Sequence, residues 1–446
     1  MYSVERKLGL IENLFHIIHD LGGMIDVNIA RIEGEIETKF LRKALDLLQN
    51  RHPMLRVRII DLADGAYFSS QEIKKIPLRT ITKTNENQWL EIAEEELHQK
   101  FSTEFTPLCR ITLLKSSLSH GMSEIVATFH HAITDGLSCM NFIDELLFYY
   151  QKIAAGEEIS NGFALPLFPP IEQTLDRCLV DRQETPKLDS KNLKEPLVPK
   201  LIIETEADEN QRRTHILTRI ISSKTIFNLK ERCKRQKTTV HGALSAAMLF
   251  GATQILAFNE PMHLSCSSNI NLRKYSKPEI EPNYIGCFVS SVENIHTLTK
   301  KQDFWNLARE CKKQVNSSIN KTINNLIDGK RFSQIDRLTI RKSLEENSTG
   351  RIKTINISNR GKFDLAKSYG ELKIKEIYFT VGQHLFGPCV WLGAVTFHEQ
   401  LFCSFAHVTP LVSSKTMSVF ADSVVAILEK ASLDESLCLQ ELLNEN

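Results

Sequence analysis

The sequence predicts a mixed α/β fold that is divided into two halves. Its 446 residues exceed one ordinary domain and suit two or three. Short strand-like apolar segments are separated by amphipathic helical segments. A proline-rich stretch interrupts this alternation, and a second strand-and-helix series follows it. We therefore predict an N-terminal subdomain at residues 1–158, a crossing linker at 159–206 and a C-terminal subdomain at 207–446.

In the first half, predicted strands and helices alternate up to one short turn. Strands are predicted at residues 25–29, 55–59, 107–114 and 125–129. Helices are predicted at residues 40–48, 89–97 and 137–155, with a weaker helical pattern at 8–21. This order predicts a mixed α/β layer with the turn at one edge of its sheet.

The turn reads His130-His131-Ala132-Ile133-Thr134-Asp135-Gly136. Because side chains alternate along a strand, only one of the two histidines can face a cleft. Histidine is the side chain best suited to accept a proton near neutral pH, and Gly136 permits a tight turn or the close approach of a neighbour. The alternative is a pair of buried, hydrogen-bonded histidines, with Asp135 merely capping the next helix.

The second half repeats the alternation. Strands are predicted at residues 216–221, 263–270, 374–379, 390–397 and 401–406. Helices are predicted at residues 226–233 and 414–428, with a small-residue helix around 242–247 and a charged helical region at 304–347. Arg273 follows the second of these strands. Ser358 and Asn359 lie where another strand, beginning near residue 355, is predicted to end in a turn.

Composition excludes several classes of protein. Hydrophobic content of 42% and charged content of 24% are globular values, and a net charge of +1 gives no field to attract nucleic acid. No apolar run reaches the roughly 18 residues of a membrane span, and the charged start lacks a signal-peptide core. The ten cysteines are scattered without a C-x-x-C pair, which favours a reduced, cytoplasmic protein. We expect Cys139 to pack in the core, and we expect no metal site.

The turn resembles the H-H-x-x-x-D-G signature of the superfamily of acyl-CoA-dependent acyltransferases and condensation domains. Further segments resemble that superfamily: R-H-x-x-L-R at 51–56, P-L-x-R at 107–110, T-x-x-x-x-L-x-A-A at 239–247, and N-L-R at 271–273 with I-G-x-x-V-S at 285–290. The last pairing is typical of alcohol acetyltransferases and of mycobacterial polyketide-associated acyltransferases. The D-F-G-W-G motif of the plant branch is absent, which favours the microbial branches.

The resemblance implies a fold and a set of site residues. It implies two subdomains like chloramphenicol acetyltransferase, with an active-site tunnel between them. It assigns the general base to His131 within the motif of His130, His131, Asp135 and Gly136, and an ion pair with Arg273 to Asp135. Ser358 and Asn359 are expected to hydrogen-bond substrate, although a purely turn-forming role fits them equally.

The resemblance also implies a reaction. The protein is expected to move an acyl group from a thioester to an alcohol or amine, in natural-product or lipid biosynthesis. It would need no cofactor beyond the thioester co-substrate, either CoA or the phosphopantetheine of an acyl carrier protein, and no nucleic acid or membrane partner. Two alternatives remain open: a stand-alone nonribosomal-peptide condensation domain that forms an amide, and a non-catalytic scaffold of the same fold.

Overall fold

The computed structural model describes residues 5–116, 121–159, 164–181, 198–366 and 368–444. The strands of the described residues are β1 (Arg6–Lys7), β2 (Ile25–Glu33), β3 (Arg58–Leu62), β4 (Gly65–Ser69), β5 (Leu78–Thr82), β6 (Cys109–Lys115), β7 (Met122–His130), β8 (Arg213–Ile221), β9 (Met262–Asn271), β10 (Val289–Leu298), β11 (Arg351–Lys362), β12 (Lys373–Val381), β13 (Gly387–Phe397) and β14 (Gln400–Thr409). Their α-helices are α1 (Leu10–Leu21), α2 (Thr38–Arg51), α3 (Gln88–Glu96), α4 (Gly136–Ala154), α5 (Ile171–Thr174), α6 (Arg177–Asp181), α7 (Ser223–Arg235), α8 (Val240–Ile255), α9 (Phe304–Ile327), α10 (Arg337–Glu346), α11 (Ser414–Leu433) and α12 (Leu439–Asn444).

The first large sheet carries the turn at residues 130–136, here called the histidine turn, at the end of its middle strand. Its strand order is β12-β2-β7-β6-β5, and β7 pairs antiparallel with both β2 and β6. The expected position of the turn at one edge of the sheet was therefore wrong. Two strands flank β7 on one side, and one of them, β12, comes from late in the chain. Chain order in the first half cannot show that pairing.

The second large sheet has six strands in the order β10-β9-β11-β13-β14-β8. Helix α8 packs against α9 and α11 and is buried along residues 242–253. Its small residues permit this close packing. A Cβ atom at Gly242 would lie 2.6 Å from the carbonyl oxygen of Ala308 in α9. The predicted mixed α/β fold with two sheet-and-helix subdomains is confirmed.

The C-terminal subdomain contributes one strand to the first sheet. Strand β12 lies within the predicted C-terminal subdomain, but it pairs along its length with β2 of the first sheet, as in Tyr378 opposite Ile29. The ring of Phe379 on β12 contacts that of Trp391 on β13, with 5.4 Å between the ring centroids. Strand β12 therefore connects the first sheet with the second. The boundaries at residues 158 and 207 stay a prediction.

The remaining differences from the sequence analysis are local. Residues Pro53–Arg56 form a 3₁₀ turn, so the strand predicted from residue 55 begins only at Arg58. His52, just before that turn, is buried, and its Nε2 atom hydrogen-bonds with the carboxylate of Glu145 in α4. Within the predicted linker, α5 and α6 are short helices, whereas residues 160–163 and 182–197 lie outside the described residues. Among the helices that the structure describes, none combines the length and the hydropathy that a membrane span requires.

Candidate active site

Two side chains of the histidine turn accept hydrogen bonds from backbone N–H groups in or next to the turn. Strand β7 ends at His130, residues His131–Ile133 form a 3₁₀ turn, and α4 begins at Gly136. The Nδ1 atom of His130 accepts a hydrogen bond from the backbone N–H of Ala132 at 3.1 Å. One carboxylate oxygen of Asp135 accepts from the N–H of Ser138 at 2.9 Å, which is helix N-capping. The turn is therefore rigidly built at the carboxyl end of the middle strand.

His130 is the histidine that points into the packing. Its side chain is completely buried, and the ring of His19 lies 4.2 Å away, centroid to centroid. Burial, together with the neighbouring His19, His16 and His131 rings, holds its pKa well below the ordinary histidine value. His130 is therefore neutral near pH 7, and its role here is to support the turn.

His131 points the other way and lines a cavity. Its Nδ1 atom lies 3.0 Å from the carbonyl oxygen of Thr134. Because a carbonyl oxygen can only accept, Nδ1 carries the proton of the neutral ring, and Nε2 is left as the basic nitrogen. The ring of Phe15 lies against the imidazole at 4.3 Å between centroids. The imidazole is thus held in one orientation and one tautomer.

The cavity beside His131, here called the His131 cavity, has a volume of about 430 Å³. That volume falls within the range of ligand pockets in proteins. One wall comes from α1, through Ile11, Phe15 and Ile18, and another from β13, through Trp391. The lining is predominantly hydrocarbon and aromatic, with a few polar groups. A substrate with an apolar portion therefore fits this space.

Asp135 and Arg273 form a buried, two-pronged ion pair. The Arg273 Nη1 atom lies 2.7 Å from one carboxylate oxygen of Asp135, and Nη2 lies 3.1 Å from the other. Both side chains are at most 4% exposed. The carboxylate also accepts from the N–H of Phe288 at 3.0 Å. The contact predicted from the resemblance is therefore present in the structure.

The environment of Asp135 favours its ionised form. Burial by itself would raise the pKa of this carboxyl group, but the charge and hydrogen bonds of Arg273 outweigh burial. The N–H groups of Ser138 and Phe288 act in the same direction, and the pKa lies below the ordinary aspartate value. Arg273 also donates to the Ser138 hydroxyl at 2.9 Å, and its guanidinium lies over the ring of Phe288.

Gly136 is required for close approach to another arginine. Its backbone φ is not in the left-handed region, so turning is not the reason for glycine here. A Cβ atom at this position would lie 2.8 Å from Nε of Arg360 and 3.2 Å from its Cγ. Arg360 is fixed in place, because it donates to the side chain of Asn28 at 2.6 Å and its guanidinium lies over the ring of Phe379. Gly136 thus makes room for a buried arginine that the sequence analysis did not single out.

Ser358 and Asn359 line a second, smaller cavity of about 120 Å³, together with Asp135 and Gly136. We call it the Asp135 cavity. Ser358 and Asn359 lie inside strand β11, which continues to Lys362 through an irregularity directly after Asn359. The Asn359 side chain accepts from the N–H of Gly361 at 2.9 Å. Asn359 therefore has a turn-forming contact as well as a place in a cavity wall.

The two cavities are neighbours. Asn269 and Val289, at the adjoining ends of β9 and β10, line both of them. His131 faces one cavity and Asp135 lines the other, so the histidine turn contributes to the walls of both cavities. Sequence reasoning missed Asn269, Asn356 and Trp391 in these walls. Only Asn269 had a signal in the sequence, namely its short distance from the N-L-R segment at 271–273.

Neither the cysteine nor the metal chemistry of the described residues adds to this site. Cys139 is completely buried, and burial raises the pKa of its thiol well above the ordinary value. One group of side chains with metal-ligating atoms, namely His16, Asp20 and Asp61, lies within 4.8 Å of one another. Arg337 already supplies a positive charge there, since it donates to both carboxylates.

The ion pair yields a prediction about stability. Replacing Asp135 with Asn removes the charge but keeps the shape, so Arg273 is left buried without its counter-charge. We expect a loss of about 3–5 kcal/mol in the free energy of unfolding, measured by denaturant titration. The variant Asp135→Asn/Arg273→Gln is the matched control, and its loss should be less than the sum of the two single losses. Additive losses would contradict a direct interaction.

The lowered pKa of Asp135 yields a prediction about pH. Because its folded-state pKa lies below the unfolded value of about 3.9, its contribution is fully present above that value. The contribution is lost as the pH falls through the folded-state pKa. The difference in melting temperature between the parent protein and Asp135→Asn should therefore narrow in acid. A constant difference between pH 7 and the acid limit of folding would refute the assignment.

The contact of Gly136 with Arg360 yields a third prediction. Gly136→Ala forces Arg360 out of its present position, with an expected cost of about 1–3 kcal/mol from overpacking. Thermal unfolding of the variant and the parent protein measures this cost. An unchanged melting temperature would mean that Arg360 moves aside freely and that the glycine is not sterically required.

Comparisons with known proteins agree with this architecture. A linear gramicidin synthase from Brevibacillus parabrevis is 29% identical over 135 residues, which are 29% of this chain and 2% of the synthase. The chain therefore matches only a small part of that relative. Two solved structures have similar folds: the epimerization domain from the third module of tyrocidine synthetase B (TM-score 0.68, 14% identity, 97% of both chains) and the trichothecene 15-O-acetyltransferase of Fusarium sporotrichioides (TM-score 0.68, 11% identity, 96% of this chain and 94% of that one).

The family comparison is more extensive. The condensation-domain family model matches residues 27–325, which is more than half of the chain and includes the whole histidine turn. The resemblance inferred from the H-H-x-x-x-D-G motif is thereby confirmed. This chain belongs to the condensation-domain family.

Proposed function

We propose that the protein is an acyltransferase that moves an acyl group from a thioester to an alcohol or amine acceptor, with His131 as the general base. The observation that carries this proposal is the state of the His131 ring. The imidazole lines a cavity of about 430 Å³ and is held by the carbonyl of Thr134 in the tautomer that leaves Nε2 basic. A base placed in this way can take a proton from a bound hydroxyl or amine.

The reaction follows from these groups. The acceptor oxygen or nitrogen attacks the thioester carbonyl carbon while its proton passes to Nε2 of His131. The tetrahedral intermediate then breaks its carbon–sulfur bond, and the departing thiolate takes the proton back from the imidazolium. Backbone N–H groups at the start of α4, near Gly136, are candidates to stabilise the oxyanion. General base catalysis of this kind contributes about 10²–10⁴-fold to the rate.

No covalent intermediate on the enzyme is needed. The chain has no G-x-S-x-G motif, and the cysteine near the turn, Cys139, is buried with a raised thiol pKa. Direct transfer instead requires both substrates at one histidine. The two neighbouring cavities on either side of the turn support such an arrangement, with the donor in one and the acceptor in the other.

The donor is proposed to be either acyl-CoA or an acyl group on the phosphopantetheine of a carrier protein. A second candidate function is amide formation with carrier-bound substrates, and the match to a gramicidin synthase favours it. The two are separated by supplying the same acyl group on CoA and on a loaded carrier protein, with alcohols and amines as acceptors. Mass spectrometry of the products identifies both partners. A non-catalytic scaffold would give no product with any pair.

The role of His131 is tested by His131→Asn. The asparagine amide can keep the hydrogen bond to the Thr134 carbonyl but provides no base in place of Nε2. We expect kcat to fall about 10²–10⁴-fold with little change in melting temperature. Unchanged turnover in this variant would refute the general-base assignment.

Two control variants complete this experiment. His263→Asn changes a histidine at the opposite end of β9, which pairs with the side chain of Thr297, and it should leave turnover unchanged. His130→Ala opens a space beneath the turn. It should therefore lower the melting temperature, and it should reduce the free energy of unfolding by about 2–5 kcal/mol. If His130→Ala lowered only kcat and His131→Asn lowered only the melting temperature, His130 would be the general base and His131 the supporting residue.

A further inference from the structure

The wall of the His131 cavity contains positive charges but no negative ones. Among the described residues that line it, Arg331 and Lys353 are cationic, and none is an aspartate or a glutamate. Most of the other lining residues are aliphatic or aromatic. A neutral hydrocarbon ligand needs no such charges, and burying a cation next to hydrocarbon is costly unless it is paired.

The two cations differ in how they are compensated. Lys353 forms an ion pair with Glu293, at 3.2 Å between nitrogen and oxygen. Arg331 has no carboxylate oxygen within ion-pair distance among the described residues. It lies in the segment between α9 and α10, and it is partly buried. Arg331 therefore lacks a direct ion pair, and the carboxylate of Glu293, which pairs with Lys353, acts on its charge only from beyond ion-pair distance.

Arg331 is held in place even without a carboxylate. Its Nη2 atom donates to the backbone carbonyl of Ser291 at 2.7 Å, and Nη1 donates to the hydroxyl of Thr322 at 3.4 Å. Its guanidinium lies over the ring of Phe332, 4.7 Å from the centroid. Two neutral oxygens use only part of its five N–H donors and neutralise none of its charge. The guanidinium is thus fixed at the cavity wall with donors to spare.

We propose that Arg331 binds the oxyanion of an amphipathic substrate, a carboxylate or a phosphate, whose hydrocarbon portion lies along the apolar wall of the His131 cavity. The planar guanidinium is the side chain best matched to such an oxyanion. This inference deepens the proposed acyl transfer, because it names the chemical class of the substrate that reaches His131 from this side. The oxyanion belongs either to the acceptor, as a carboxylate, or to the thioester donor, as a phosphate.

Binding tests this proposal without any turnover. Dodecanoate, dodecyl phosphate and dodecan-1-ol share one hydrocarbon chain and differ in charge, and Trp391 in the cavity wall provides a fluorescence signal. We expect both anions to bind more tightly than the alcohol. Arg331→Gln should weaken the anions about 10- to 100-fold and leave the alcohol within about twofold. An equal loss for all three ligands, or no loss for the anions, overturns the proposal.

A matched control and a measurement on the parent protein guard against misfolding. Lys330→Gln removes the same charge from the adjacent residue, which is exposed and pairs with Asp328, and it should change no affinity. In the unmutated protein, the preference for the anions over the alcohol should diminish as salt is added. An absent anion preference in the parent protein refutes the proposal even if Arg331→Gln does not fold.

Turnover then identifies the source of the oxyanion. An acceptor carboxylate is compared with its methyl ester, and a CoA thioester with the N-acetylcysteamine thioester, which has no phosphate. If Arg331→Gln raises KM only for the carboxylate acceptor, the oxyanion belongs to the acceptor. If Arg331→Gln raises KM only for the CoA donor, the oxyanion is a phosphate of the donor. Equal effects on all pairs overturn the proposal. Binding of anions without turnover of any pair would leave the anion site in place and refute the acyl transfer instead.

Discussion

The buried ion pair of Asp135 and Arg273 is the interaction on which the site depends. It joins the first residue before α4 to the segment after β9, 138 positions later in the chain, and thus holds the first subdomain to the second beside the Asp135 cavity. Two buried charges are tolerated because the carboxylate also accepts from two backbone N–H groups and the guanidinium also donates to Ser138. Asp135 and Arg273 therefore act on the site by holding the histidine turn in position, without taking part in a reaction themselves.

The same turn separates two histidines by environment. His130 is completely buried and stays neutral, and its Nδ1 atom serves the backbone of the turn. His131, one residue later, lies at a cavity wall with its proton assigned to Nδ1 by the Thr134 carbonyl. Adjacent residues of one type thus acquire different environments, because strand geometry sends one into the core and the other to a cavity wall. The support for the His131 ring comes from its neighbours in the turn and from Phe15 on α1.

The character of the cavities follows from which elements meet there. Helix α1 brings hydrocarbon, the ends of β9 and β10 bring amides and hydroxyls, and the segment between α9 and α10 brings Arg331. Elements from both subdomains therefore contribute to one space. The cavity combines an apolar wall with a cation that has no direct ion pair, and this feature belongs to the space itself, since members of one fold can act on very different substrates.

The sequence by itself determined the local features of this protein. It placed the histidine turn between a buried strand and a helix, and through the motif resemblance it named Arg273 as the partner of Asp135. It also indicated the close-packed helix α8. Tertiary structure alone decided that β12 pairs with β2, which makes β7 a middle strand, and that Arg360 lies against Gly136. It alone brought Arg331 to the wall beside His131. Periodicity and turn residues constrain the backbone over a few residues, whereas contacts between residues far apart in the chain are chosen by the packing of the whole fold.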